Sequence, residues 1–303
     1  MSYFTLWLTD RKIVIQKKSI QFLADLMKSM ETALTINRIN QVDLLTIQSE
    51  IASSETQLLI LGKQRDAENY RLNRFLGREL DATGISIPEE LEGINLTINQ
   101  SKLENLLGEI NPTLKKMNNM IEMNRAMIEA NDRELIPDLM LQGMFMVMPR
   151  GMILTSQSDL TMLDSKVEFM YSLMVSINLP FAPWSINKYK AKSQELAAGI
   201  SGIALERTNM QREMGVKLKE ATVKYSTASE LLKLYDKKII PLYKQTTDSQ
   251  VSAYQNNKST ITAVIDSYRM LLMVQMNYYM AKADTQMSLA EIEMMVGGKL
   301  TDY

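Results

Sequence analysis

The sequence predicts a mainly α chain with a small β part, in which long antiparallel helical hairpins carry two strands of membrane-crossing length. Three observations point there. All seven prolines lie between Pro88 and Pro241, so the first 87 residues and the last 62 lack the strongest helix breaker. Two sections match each other at an offset of 220 positions, from Gln48/Tyr268 to the closing NRFLG (Asn73 to Gly77) and EMMVG (Glu293 to Gly297), which reads as an internal duplication. Residues 139–148 and 169–179 alternate in polarity with the two-residue period of a strand.

Composition narrows the functions. The 34 basic and 35 acidic residues are dispersed along the chain, which gives no electrostatic footprint for nucleic acid. Cys and His are both absent. That removes thiolate and imidazole nucleophiles, imidazole bases and the common zinc and haem ligand sets, so no cofactor is expected. Neither a Gly-rich phosphate loop nor a nucleophile elbow appears, and the sequence does not read as an enzyme. Asp266, Asp284, Glu291 and Glu293 scatter around one helix as a solvated or interhelical face would. No apolar run reaches the roughly 18 residues of a transmembrane helix, and the start, MSYFTLWLTDRK, shows no export signal.

Residues 1–77 read as the first helical hairpin, broken at the polar INRINQVD (Ile36 to Asp43) and closed by Gly77 in the usual helix C-terminal position. Residues 78–110, with Gly84, Pro88 and Gly93, read as a connector with short helical pieces. The second repeat, 111–303, opens with a helix from Asn111 to about Glu134, which Pro137 ends. Two strands follow, around a largely polar loop from Pro149 to Glu168. Next comes a helix from near Trp184 to Tyr254, about 70 residues and roughly 105 Å if continuous. Its apolar rhythm runs Ile203, Met210, Met214, Leu218, Ala221, Tyr225, Ala228, Leu232, Tyr235, Ile239, and Pro241 predicts a kink or short break. After the polar tip YQNNKST (Tyr254 to Thr260), a last helix shows a seam at Met273, Met276, Met280, Ala283, Met287, Ala290 and Met294. Asn40 or Asp43, and Asn257 or Ser259, are candidate N-caps of the returning helices.

The strands carry the chemistry. Leu139, Leu141, Gly143, Phe145 and Val147 share one face with Phe169, Tyr171, Leu173, Val175, Ile177 and Leu179. The other face holds Met140, Gln142, Met144, Met146, Met148, Met170, Ser172, Met174, Ser176 and Asn178. This is the pattern of a lipid side and a wetter inner side, with Phe169 and Tyr171 at one end and Phe181 and Trp184 near the other as candidate aromatic girdles. Methionine is first of all a flexible apolar filler, and packing accounts for the seam of the last helix and for Met117, Met120, Met123 and Met127. The strand methionines differ because they share a face with Ser, Gln and Asn. Met140, Met144, Met146, Met148, Met170 and Met174 are therefore candidate transient ligands for soft cations, Cu(I) or Ag(I).

The order helix, strand, loop, strand, very long helix, tip, helix resembles the TolC-like outer membrane efflux family. The resemblance rests on NPTLKKMNNMIEMNRAMIEANDRELIPDLMLQGMF (Asn111 to Phe145), INLPF (Ile177 to Phe181), DLLTIQSEI (Asp43 to Ile51) and LNRFLGRE (Leu72 to Glu79). It implies a homotrimer whose strands close a shared β-barrel in outer membrane lipid and whose helical hairpins form an α-barrel tunnel in the periplasm of a Gram-negative cell. It further implies that the tips, around Arg38, Asn40 and Asp43 and around Asn257, Ser259 and Thr260, close the tunnel and meet a periplasmic adaptor protein. An inner-membrane pump would supply the energy. The methionine enrichment looks like the copper and silver efflux branch. Relative to the family pattern the chain starts at the first hairpin, so an export signal or anchor, a leading helix and two strands, on the order of 100 residues or more, are expected upstream. Two alternatives stand beside this reading: a channel of the same family for organic compounds, and a soluble helical scaffold.

Overall fold

The computed structural model describes residues 1–35, 40–83, 85–91, 99–148, 168–180 and 182–300. In chain order they form α1 (Ser2–Thr35), α2 (Gln41–Phe75), α3 (Gln100–Ile110), α4 (Pro112–Arg133), β1 (Leu139–Met148), β2 (Glu168–Ile177), α5 (Pro183–Leu234), a π-helical turn (Tyr235–Ile239), α6 (Ile240–Gln255) and α7 (Ile261–Val296). Residues Met1–Pro112 with Gln211–Tyr303 make one compact unit and Thr113–Met210 a second.

The first unit holds two antiparallel hairpins, α1/α2 and α6/α7, with α7 also packed on α1, α2 and α3. Three apolar clusters hold it. Near the tips, Leu23, Leu26 and Met30 of α1 meet Ile47 of α2 and Ile261, Val264 and Ile265 of α7. Further along, Trp7 packs with Leu91 and Ala283, and its indole N–H donates to the Pro88 carbonyl at 3.1 Å. The third cluster joins Leu103 and Leu107 of α3, Leu218, Ala221 and Tyr225 of α5, and Leu289, Ile292 and Val296 of α7. The expected rhythm of α5 is right where it meets this core, at Leu218, Ala221 and Tyr225.

The helix ends repeat at the same spacing as the sequence. Thr35 and Gln255 close the outgoing helices, Gln41 and Ile261 open the returning ones, and each pair lies 220 apart. Gly77 (φ +66°) and Gly297 (φ +88°) both adopt the left-handed conformation past a helix end. At the first, the Arg78 amide donates to the Asn73 carbonyl at 3.0 Å; at the second, the Gly298 amide donates to the Glu293 carbonyl at 3.2 Å. The side chains follow suit. Asn73 Nδ2 donates to the carbonyl of Leu80 at 2.8 Å, and Glu293 Oε1 accepts from the amide of Leu300 at 3.0 Å. Gly297 has a second constraint, because a Cβ there would lie 2.7 Å from Pro112 Cδ. Asn111 and Pro112 thus dock on the end of α7, with Asn111 Nδ2 donating to the Met295 carbonyl at 2.6 Å.

The second unit contains the sheet and the α4/α5 contact, where Asn131 Nδ2 donates to the Tyr189 carbonyl at 2.9 Å and to Ser193 Oγ at 2.8 Å. β1 and β2 pair antiparallel from Leu139↔Ile177 to Met148↔Glu168.

Several expectations change. The expected seam of α7 holds only in part: Ala283 is buried beside Trp7 with Met287 packed against them, but Met273, Met280 and Met294 are 49%, 39% and 70% exposed. The buried positions are Ile261, Val264, Ile265, Leu271, Val274, Ala281, Ala283, Thr285, Gln286, Ser288, Leu289, Ile292 and Val296. They form a wide face centred roughly opposite the methionines. Met120, Met123 and Met127 of α4, expected to pack, are likewise exposed in the single chain. At Pro241 the expected short break takes the form of a π-helical turn, Tyr235–Ile239, between α5 and α6. The π-helical turn before it takes up the strain, and Pro241 sits in the first turn of α6, where a missing N–H costs little. β2 stops at Ile177 rather than Leu179. The Asn178 amide donates to the Asp138 carbonyl at 3.0 Å, and the next hydrogen-bonded pair would set Ile136, whose amide donates to the Arg133 carbonyl at 2.9 Å, opposite Pro180, which has no N–H.

Candidate functional site: a methionine face and two helical tips

In an antiparallel pair, directly opposed residues lie on the same face. The register sets Met146 opposite Met170, Gln142 opposite Met174, Met144 opposite Ser172 and Met140 opposite Ser176. The five methionines whose side chains are described therefore share one face with Gln142, Ser172 and Ser176, in the phase the sequence indicates. Counting diagonal neighbours, they form a zigzag of Met140, Met174, Met144, Met170 and Met146, each within side-chain reach of the next. Met148 ends β1 opposite Glu168, and its side chain is outside the described residues.

The opposite face is apolar throughout its ten-residue length apart from Gly143 and the Tyr171 hydroxyl. It is the more open of the two, with Tyr171 at 83% and Leu173 at 73% exposure. Phe145 and Phe169 stack at 6.0 Å next to Tyr171, forming an aromatic group at one end. Phe181 and the Trp184 side chain, the expected second girdle, lie outside the described residues, as does the loop 149–167.

At the tips, Asn40 takes an expected position while Asn257 and Ser259 do not. Arg38 lies outside the described residues. Asn40 is the backbone N-cap of α2, with φ −85° and ψ 149°, and its side chain makes no capping hydrogen bond among the described residues. Asp43 sits in the first turn of α2, where a carboxylate suits the helix dipole. Neither Asn257 nor Ser259 caps α7. Asn257 is left-handed (φ 58°) and closes α6, its amide donating to the Tyr254 carbonyl at 2.9 Å and the Lys258 amide to the Ala253 carbonyl at 2.8 Å. The Ser259 hydroxyl donates to Gln250 Oε1 at 2.8 Å. That leaves Thr260 as N-cap, its Oγ1 accepting from the Ala263 amide at 3.3 Å.

Two tip features have no signature in the sequence. Arg269 of α7 forms a two-pronged pair with Glu50 of α2, Nε to Oε1 at 2.9 Å and a second contact from Nη2 to Oε2. The Tyr254 hydroxyl is buried and has no hydrogen-bond partner among the described residues. Burial pushes its pKa up, and the nearby Asp43 charge adds to this. Among the described residues no group of three His, Cys, Asp or Glu side chains is placed to hold a metal ion. No helix is long and apolar enough to cross a membrane, also among those residues.

No family model and no curated protein matches the sequence. Solved structures do match the fold. The outer membrane protein VceC of Vibrio cholerae superposes with a TM-score of 0.74 at 13% identity over 98% of this chain and 68% of its own. CusC, solved in a study of folding and transmembrane channel formation, gives 0.76 at 14%, over 98% and 66%. The open state of the MtrE outer membrane channel of Neisseria gonorrhoeae gives 0.73 at 14%, over 99% and 65%. The chain spans about two thirds of the length of these proteins. Its fold is that of the TolC-like outer membrane channels: long helical hairpins with an internal repeat, and a small antiparallel sheet.

Proposed function

We propose that this chain is the outer membrane channel component of a tripartite efflux system, a passive conduit and not an enzyme. The observation that carries this is the β1/β2 sheet, whose apolar face is ten residues long on strands long enough to cross a bilayer. An open two-stranded sheet in lipid leaves unpaired backbone at both edges. Its edges are satisfied when it joins further strands in a closed barrel, to which each copy of a homotrimer contributes its β1 and β2. The apolar face then meets outer membrane lipid and the methionine face meets the lumen. Residues 1–77 are the helical hairpin of the first copy of a repeat, 78–110 its connector and 111–303 the second copy.

The helical tips face the periplasm, where Asn40, Asp43, Asn257, Ser259 and Thr260 order the ends that dock an adaptor protein. An inner-membrane pump drives the cargo that the channel passes. Cu(I) or Ag(I) is the proposed cargo. Met140, Met144, Met146, Met170 and Met174 are neutral thioethers that hold such ions weakly enough to release them. A channel for organic compounds is the second reading, favoured by the same methionines acting as adaptable apolar lining.

Fractionation and tolerance assays test both levels. Recovery of the protein in the outer membrane fraction, with copper and silver sensitivity in cells lacking the gene, supports the proposal. Recovery from the soluble fraction without detergent would end the channel reading in favour of a helical scaffold. Unchanged metal tolerance with lost tolerance to organic compounds would end the metal reading alone.

A further inference from the structure

Met273, Met276 and Met280 of α7 open together into a groove of about 410 Å³ bordered by α1 and α2. We propose that these three thioethers form a second soft-cation site, for Cu(I) or Ag(I), within the helical unit. The inference deepens the cargo reading and rests on it for its use in transport, although binding itself does not require the channel.

The spacing is i, i+3, i+7, which places the three Cα positions within an arc of about 60° and brings neighbouring Cβ atoms to roughly 5–6 Å. Methionine has three rotatable bonds beyond the backbone, so two or three sulfurs can converge on one ion without moving the helix. The exposure of Met273 and Met280 sets them apart from filler. The packing of α7 is carried by Leu271, Val274 and Ala281, all buried, and the methionines stand outside that face. The groove floor is polar and ordered, with Gln16 Nε2 donating to the buried Ser54 carbonyl at 3.1 Å.

The charges nearby select against hard ions. Glu50, the one carboxylate among the described residues lining the groove, is engaged by Arg269. A dication finds no second carboxylate among those residues, whereas a soft monovalent ion takes neutral sulfur ligands. The composition sharpens the point. With no Cys and no His in 303 residues, a soft cation that binds this protein has only thioether sulfur to choose.

The test titrates the purified full chain in detergent with Ag(I), and with Cu(I) against a chromophoric Cu(I) chelator. Copper-edge X-ray absorption follows on the loaded protein. Two variants are compared with the parent: M273L/M276L/M280L, and M140L/M144L/M146L/M170L/M174L in the strands. Leucine conserves apolar volume and helix propensity, so the fold survives while the sulfur is lost. The inference expects a sulfur-only first shell in the parent and about one fewer bound ion per chain in the α7 variant, with that ion retained in the strand variant. An α7 variant that binds like the parent overturns the inference. If the strand variant meanwhile loses its ions, the cargo reading survives without it. If neither variant differs from the parent, both fail.

Discussion

Replacing Gly297 by Ala measures how firmly Asn111 and Pro112 are seated on the end of α7. Two penalties act there. The backbone has φ +88°, in the left-handed region where a side chain costs about 1–2 kcal/mol. The new Cβ would also lie 2.7 Å from Pro112 Cδ and 3.4 Å from Asn111 Cα, so the docked segment must shift or detach. Such overpacking costs about 1–3 kcal/mol. The two together predict a loss of about 2–4 kcal/mol. Gly77 is the internal control. It has φ +66° but nothing within 4 Å of an added methyl, so Gly77→Ala carries only the backbone penalty of about 1–2 kcal/mol. Denaturant unfolding of the full chain followed by far-ultraviolet circular dichroism gives both values under identical conditions. A Gly77→Ala loss equal to or larger than that of Gly297→Ala would refute the docking of Asn111 and Pro112.

Three further predictions concern the helices. Thr260→Ala removes the hydroxyl that accepts from the Ala263 amide and should cost about 1 kcal/mol, while Thr260→Ser keeps most of it; unfolding of the two variants checks this. The Arg269 side chain is 57% exposed but Glu50 only 13%, so a double-mutant cycle with Arg269→Met and Glu50→Gln should give a coupling of about 1 kcal/mol, partly screened in high salt. A coupling that is large and indifferent to salt would contradict it. Burial raises the Asp284 pKa above 3.8, with Lys12 opposing. Because the folded state then holds its proton to higher pH than the unfolded chain, Asp284 lowers stability as pH rises from 3.8 through its folded pKa. Asp284→Asn should flatten the pH–stability curve in that acidic window, and an unchanged curve would show that burial of this carboxyl is not felt.

How much was legible follows from the kind of pattern each element has. The strands could be read because alternation over ten residues separates two faces, and pairing in register keeps those faces intact: Met146 meets Met170, and Phe145 meets Tyr171. The hairpin ends could be read from Gly77 and Gly297, since few residues other than glycine tolerate the conformation found there. The seam of α7 could be read only in part. That helix carries Met, Leu, Val or Ala on most sides, so periodicity alone does not say which stripe meets α1, α3 and α6. The face chosen by packing includes the polar Thr285, Gln286 and Ser288, which an apolar periodicity does not pick out. The roles at the second tip were missed for a related reason. Asn257, Ser259 and Thr260 are all good caps in isolation, and only the closing turn of α6 decides that Asn257 is used for its left-handed backbone and Thr260 for its hydroxyl.

The claim on which the rest stands is that the two faces of the sheet meet different solvents. The chain contains no cysteine, so single cysteines at Leu141 and Val175 on one face and at Met144 and Met174 on the other can each carry a spin label without background. Measured in outer membrane vesicles, labels at Leu141 and Val175 should relax strongly with oxygen, which concentrates in hydrocarbon. Labels at Met144 and Met174 should relax with a water-soluble nickel complex. Reversal of the two sets, or water access at all four positions, would contradict the account.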